Sequence, residues 1–176
     1  EDARCSDTKE GCNEGDCGAC TVLIGELPDA HDNADQQTIR GLKLHSVNAC
    51  IQFLPTLHGK ALFTVEELQQ IAAADPAAPA AVANLIPLHP VQQALAAHDG
   101  TQCGFCTPGI VMSAWAWSRE GGDPHEALAG NLCRCTGYRP ILDAMAAMAD
   151  DGAPPPFAHD PPEEIATGDQ RFFLPQ

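Results

Sequence analysis

Apolar positions in the first 74 residues cluster into two short runs, TVLIG at 21–25 and ALFTV at 61–65. Both are rich in β-branched or aromatic residues and bounded by polar residues or glycine, the pattern of strands. HGK at 58–60 reads as the turn of a hairpin leading into the second run. Thr64 and Glu67 then stand at capping-box spacing before ELQQIAAA, which predicts a short helix. The Asp-rich stretch from Gly25 to Arg40 is longer than a hairpin needs and reads as a loop.

Beyond residue 87 the pattern becomes helical. LHPVQQALAAHD has Pro90 near its start and Gly100 just past its end, while TPGIVMSAWAWSRE has Pro108 early and Gly121-Gly122 as its stop. Proline inside the start and glycine past the end are what helix termini prefer. PHEALAG predicts a short third helix and RPILDAMAAMAD a fourth. Trp115 and Trp117 lie two apart, hence on different helix faces. One is assigned to the core and the other to a partner surface, with core packing the default for both. Met145 and Met148 read as core fillers. DPAAPAAVANLIP at 75–87 is a Pro/Ala linker, and DGAPPPFAHDPPEE, from 151, is too proline-rich for a packed element. The expected organisation is α+β: a strand-containing unit at 1–74, a linker at 75–87, a helical unit at 88–150 and an extended linker at 151–176.

Charge narrows the function classes. Acids outnumber Lys and Arg 24 to 9, a formal charge of −15, with no basic stripe to attract a phosphate backbone. Nucleic acid is therefore excluded as a partner. No apolar run approaches the roughly 20 residues needed to span a bilayer, so no membrane segment is expected.

Cysteine is over-represented: nine residues, at 5, 12, 17, 20, 50, 103, 106, 133 and 135. An odd count cannot pair fully within one chain, and Cys133-Arg134-Cys135 is too close for an unstrained disulfide. Ligand thiols kept unpaired place the protein in the cytoplasm. Cys12-x4-Cys17-x2-Cys20 followed by Cys50 has the spacing of plant-type 2Fe–2S ferredoxins. Two ferric ions, two sulfides and four thiolates sum to a dianion, and reduction adds a further negative charge. Such a group needs N–H donors aimed at its sulfurs, and glycines interleaved with the thiols let the loop wrap closely. The rivals are a glycine-rich turn with buried free cysteines and a structural zinc site. Zinc modules usually offer two short Cys-x2-4-Cys knuckles, whereas here three ligands sit on one wrapping loop.

Cys103-x2-Cys106 and Cys133-x-Cys135 repeat one design: each lies between the end of one helix and the start of the next. Helix beginnings present free N–H groups and a positive dipole end, which favour thiolates and an anionic cluster. Zinc is again the rival, but a one-residue gap is unlike a zinc knuckle.

GCNEGDCGACTV, VNAC, QCGFCTPGIVMS and NLCRCTGYRPI together resemble the iron–sulfur region of molybdenum hydroxylases. FLPTLHGKALFTVE and LHPVQQALAAHDGTQCGFCTPG bring the resemblance nearest to the small subunits of bacterial xanthine dehydrogenases. It covers nearly the whole chain. The resemblance implies a β-grasp ferredoxin domain followed by an all-α four-helix bundle, each holding one 2Fe–2S cluster. Cys12, Cys17, Cys20 and Cys50 would bind the first; Cys103, Cys106, Cys133 and Cys135 the second. It also implies electron transfer from a molybdopterin, through the bundle cluster and then the ferredoxin cluster, to FAD and NAD+. Cys135 and Gln102 would lie beside the pterin, and Asp16 with its loop on the flavin side. The expected partners are a molybdopterin-binding large subunit and an FAD domain or subunit, in a hetero-oligomer. FAD and molybdopterin are not expected to bind this chain alone, which has no substrate-converting site.

Departures from that pattern carry their own expectations. Only eleven residues precede Cys12, so the β-grasp core lacks its first hairpin and the chain reads as a fragment or an incomplete gene product. Gly25–Arg40 is longer than the family's usual connection, and TGDQRFFLPQ resembles the approach to an FAD domain. Cys5 lies outside both sets and reads as a bystander, and His45 as a solvated or hydrogen-bonded residue. Alternatives are the iron–sulfur subunit of another molybdenum hydroxylase, oxidising aldehydes, N-heterocycles or carbon monoxide; a free ferredoxin-like carrier; and a zinc-stabilised interaction module.

Overall fold

The structure, a computed structural model, describes residues 6–28, 41–68 and 88–150, with residues 149 and 150 described as backbone only. Cys5, most of the Asp-rich loop, the end of the helix expected after Thr64, the 75–87 linker and the 151–176 tail lie outside the described residues.

TVLIG forms the middle strand of a three-stranded antiparallel sheet. Strand β1 (Thr21–Glu26) is flanked by β2 (Lys43–Asn48) and β3 (Ala61–Phe63) in the order β2-β1-β3. Thr21 stands opposite Asn48 and Glu26 opposite Lys43, while Leu23 faces Phe63 and Gly25 faces Ala61. Covered on both edges and on one face by a helix, β1 buries all of its first five residues. A continuous apolar run suits such a strand.

HGK closes a turn but not a hairpin. The chain before it runs through the 3-10 turns Ala49–Ile51 and Leu54–Leu57, with Pro55 near the start of the second, so no extended segment is there to pair. Lys60 N–H donates to Leu57 O at 3.1 Å, and β3 pairs with β1 instead. The second apolar run is also shorter as a strand than its sequence suggests. It ends at Phe63, and residues 65–68 are helical, with Glu67 N–H donating to Thr64 O at 3.1 Å.

Four helices follow: α1 (Pro90–Ala97), α2 (Thr107–Glu120), α3 (Pro124–Ala127) and α4 (Arg139–Asp150). His89 caps α1: its Nδ1 accepts from Val91 N–H at 3.2 Å, and Gln92 Oε1 accepts from His89 N–H at 2.9 Å. Asp123 caps α3 through His125 N–H at 2.9 Å, and α2 stops at Gly121.

Helix α2 lies across β1, and α1 packs against α4. Leu23, Leu42, Phe63 and Leu68 from the first part of the chain therefore join Val91, Ile110, Met112, Trp115, Ile141 and Met145 in one continuous apolar core. Each Leu or Ile so buried contributes roughly 1.5–3 kcal/mol. Trp115 is buried, with His89 edge-on to its ring at 6.2 Å and 82°. Trp117 is half-buried against the same core, and its Nε1 donates to Gly122 O at 2.9 Å. Met145 is buried and Met148 packs against the core's edge.

Candidate metal centres

The first cysteine set is assembled by strand register. Cys20 ends the loop just before β1, and Thr21 pairs with Asn48 at the end of β2, so Cys50 arrives beside Cys20. Ala49 N–H donates to Cys20 O at 3.2 Å and Cys50 N–H reaches Cys20 Sγ at 3.5 Å. Asn48 Nδ2 donates to Gly15 O, holding the loop against the strand. On the other side of the loop, Cys17 N–H reaches Cys12 Sγ at 3.4 Å.

The four thiols meet as two pairs. Cys12 pairs with Cys17, and Cys20 with Cys50. Cys12 is drawn down to about 6, chiefly by Glu14 N–H and then by the N–H and thiol of Cys17. Burial pushes Cys50 up, reinforced by its bond to Cys20 and opposed by Gly15 N–H. Cys20 is buried, while Cys12, Cys17 and Cys50 are half-buried. Asp16 is exposed at the rim of the loop, and His45 is exposed on β2.

The second set comes from two turns between helices. Cys106 is the residue before α2, and Cys133 and Cys135 lie in the turn that leads into α4. Again the thiols pair, Cys103 with Cys135 and Cys106 with Cys133. Phe105 N–H, followed by Cys135, lowers Cys103, and the same bond raises Cys135. Burial pushes Cys106 up to about 12. Burial also opposes ionisation of Cys133, but the hydroxyl and N–H of Thr136 outweigh it and hold that thiol low. Tyr138 fastens the turn: its OH accepts from Cys133 N–H at 2.8 Å and donates to Asn131 O at 3.0 Å. Cys103, Cys135 and Gln102 are exposed.

The two sets are stitched to each other. Leu132 N–H, next to Cys133, donates to Cys17 O at 2.9 Å. Buried Asn131 donates from Nδ2 to Gly18 O at 3.0 Å and to Thr21 Oγ1 at 3.2 Å, and accepts from Ser113 Oγ at 2.6 Å. Helix α2 comes so close that a Cβ at Gly109 would run into Gly18 O; at Gly18, which holds φ +66, a Cβ would run into Gly130 O. Only glycine fits either position. Ser113, Asn131, Thr136 and Tyr138 fall within the motifs QCGFCTPGIVMS and NLCRCTGYRPI, but no spacing marks the partners they bond. Asn131 lies 113 residues from Gly18, too far along the chain for local spacing to link them.

The donor set suits a binuclear cluster. Four thiols in two pairs match two irons with two thiolates each, and backbone N–H groups reach the sulfurs. Among the described residues, no three His, Cys, Asp or Glu side chains gather closely enough to hold one metal ion.

The family model described as a 2Fe-2S binding domain matches residues 64–146. Xanthine dehydrogenase/oxidase of Rattus norvegicus is 43% identical over 150 residues, covering 82% of this chain and 10% of that protein. Aldehyde oxidase 2 of Mus musculus is 44% identical over 154 residues, covering 84% of this chain and 10% of that protein. The crystal structure of quinoline 2-oxidoreductase from Pseudomonas putida 86 superposes with a TM-score of 0.57 at 29% identity, covering 82% of this chain and 74% of that one. The chain thus spans about 10% of the length of these curated relatives. It carries a 2Fe-2S binding domain whose homologues are oxidoreductases of the xanthine dehydrogenase and aldehyde oxidase families.

Proposed function

We propose that this chain is the electron-transfer iron–sulfur segment of a molybdenum hydroxylase, of the type found in bacterial xanthine dehydrogenase small subunits. The observation that carries the reading is the pairing of eight cysteines, Cys12 with Cys17, Cys20 with Cys50, Cys103 with Cys135 and Cys106 with Cys133. In each pair the two thiolates would hold one iron, so the chain would carry two 2Fe–2S clusters. Each cluster supplies one-electron redox chemistry when bound. The chain's own groups hold it: N–H donors offset the negative charge on sulfur, and the Leu132–Cys17 and Asn131–Gly18 bonds keep the two loops at a fixed separation.

The finer architecture belongs to the same proposal: a β-grasp unit at 1–74 and a four-helix bundle at 88–150. The three-stranded sheet and the helices α1–α4 support it. Electrons would enter from a molybdopterin partner beside Cys135 and Gln102 and leave toward FAD and NAD+ on the side of Asp16. Support comes from the exposure of Cys103, Cys135 and Phe105 at one site and of Ile51, Phe53 and Leu54 beside Cys50 at the other. Apolar side chains left 48–77% exposed around thiols are suited to burial against partner chains in a hetero-oligomer. Cytoplasmic placement follows from thiols kept as ligands. Among the described residues no helix is long and apolar enough to cross a membrane.

A second reading keeps the electron-transfer role and changes the substrate. Identity to an aldehyde oxidase (44%) matches that to a xanthine dehydrogenase (43%), which favours aldehydes or N-heterocycles equally well. Iron and acid-labile sulfide analysis with EPR after reduction tests the shared core, on protein produced with its natural neighbouring sequence. About four irons and four sulfides per chain, with two distinct signals, are expected. Zinc without sulfide overturns the proposal.

A further inference from the structure

The turn before α4 places a hydroxyl on a ligand sulfur. Thr136 Oγ1 lies 3.1 Å from Cys133 Sγ, and it accepts from Tyr138 N–H at 3.1 Å. A hydroxyl has one proton and two lone pairs. Since Tyr138 N–H occupies a lone pair, the proton is free to point at the sulfur. A thiolate bound to iron has no proton to offer, so in the loaded protein Thr136 is the donor. Its geometry is fixed beforehand. Tyr138 N–H is held on Thr136 Oγ1, while its OH is held between Cys133 N–H and Asn131 O. Thr136 is itself half-buried, which limits competition from water. In the first set, by contrast, the bonds to Cys12 and Cys20 come from backbone N–H groups.

We propose that Thr136 sets the reduction potential of the second cluster by donating its hydroxyl proton to Cys133 Sγ. Reduction adds one negative charge to the cluster, spread over its sulfurs. A hydrogen bond to a sulfur favours the more negative state, and hydrogen bonds to sulfur are among the determinants of cluster potential. The Thr136 bond therefore raises the potential of this cluster and leaves the first unaffected. This inference rests on the cluster reading above and adds a residue that binds no iron.

The test is an EPR-monitored redox titration of the full-length protein with its partner subunits, comparing the parent with Thr136→Ser, Thr136→Val and Thr136→Ala. Valine and alanine remove the donor and should lower the equilibrium constant for one-electron reduction of the second cluster about tenfold, a downward shift of about 59 mV. Serine keeps the donor and should titrate with the parent, and the first cluster should not move in any variant. Unchanged potentials in the valine and alanine variants overturn the proposal, as does a serine variant shifted as far as valine. If valine and alanine both fail to take up iron while serine loads normally, the hydroxyl serves assembly and the tuning role is wrong. A parent protein lacking the second pair of irons and its signal would instead sink the cluster reading itself.

Discussion

The two cysteine sets have the same donors and reach them by different means. The first depends on backbone: a loop wrapping over the start of β1, a β1–β2 register that delivers Cys50, and N–H groups on sulfur. The second also receives backbone N–H groups, from Phe105 and Thr136, but adds side chains: Tyr138 closes its turn and the Thr136 hydroxyl touches its sulfur. The difference teaches that a site made from backbone is secured by chain geometry, whereas a site made from side chains can be adjusted one residue at a time. The sets are also unequal in exposure, with Cys20 buried in the first and Cys103 and Cys135 exposed in the second.

The largest effect should come from removing one ligand. Cys135→Ser should abolish the second cluster, halve the iron and sulfide content and remove one EPR signal, while leaving the first signal in place. Loss of both signals would mean that the sheet-borne site cannot assemble without the helical one. Cys5→Ser is the matching control and should leave iron content unchanged.

Next is the seam between the sets. Asn131→Ala removes a buried side chain that bonds Gly18 O, Thr21 Oγ1 and Ser113 Oγ, and strands polar groups away from water. A buried group left unsatisfied costs about 1–3 kcal/mol, so denaturant titration should show a loss of about 3 kcal/mol. Ser113→Ala removes one of these bonds and should cost about 1 kcal/mol. If Asn131→Ala is no worse than Ser113→Ala, the two sets are held together by core packing alone. Power-saturation EPR on the loaded protein checks the same point through the spin coupling of the two clusters.

Legibility in the sequence followed the same division. Cysteine spacing within each loop is local and could be read directly, whereas the pairs Cys20–Cys50, Cys103–Cys135 and Cys106–Cys133 join loops about thirty residues apart. Helix ends were readable as well, because Pro90, Pro108 and Gly121 act on their own backbone. What could not be read depends on distant parts of the chain. Sheet order with β1 in the middle is a tertiary outcome, and so is the pairing of β3 with β1, which made HGK look like a hairpin turn. ALFTV has the propensity of a five-residue strand, but the helical turn that opens at Thr64 ends it at Phe63. Asn131 and Thr136 stand in the motif NLCRCTGYRPI, but their roles could not be read, since an asparagine or threonine near a cysteine is ordinary until the fold supplies its partner.

The last expected effect is on pH, and it separates the helical side from the sheet. Burial, with a smaller contribution from the Arg119 guanidinium on α2, holds His89 down to about 4 from its usual 6.5. The unfolded chain therefore takes up a proton near pH 6.5 that the folded chain refuses. Stability from this histidine is complete above that pH, falls as pH drops toward 4, and changes no further below it. Between pH 7 and pH 5 the loss should be about 2 kcal/mol. Two carboxylates in the sheet region behave differently in that window. Lys60 holds Glu26 below its usual range. Burial opposes ionisation of Glu66, but the Thr64 hydroxyl and Asp7 N–H hold it below as well. Both stay charged at pH 5, and their contributions are lost only at lower pH. Thermal unfolding at pH 7 and pH 5 should thus show a drop in Tm that His89→Asn largely removes, since asparagine retains a capping oxygen for Val91 N–H but does not titrate. A variant as acid-sensitive as the parent would show that the histidine is not what couples α1 to pH.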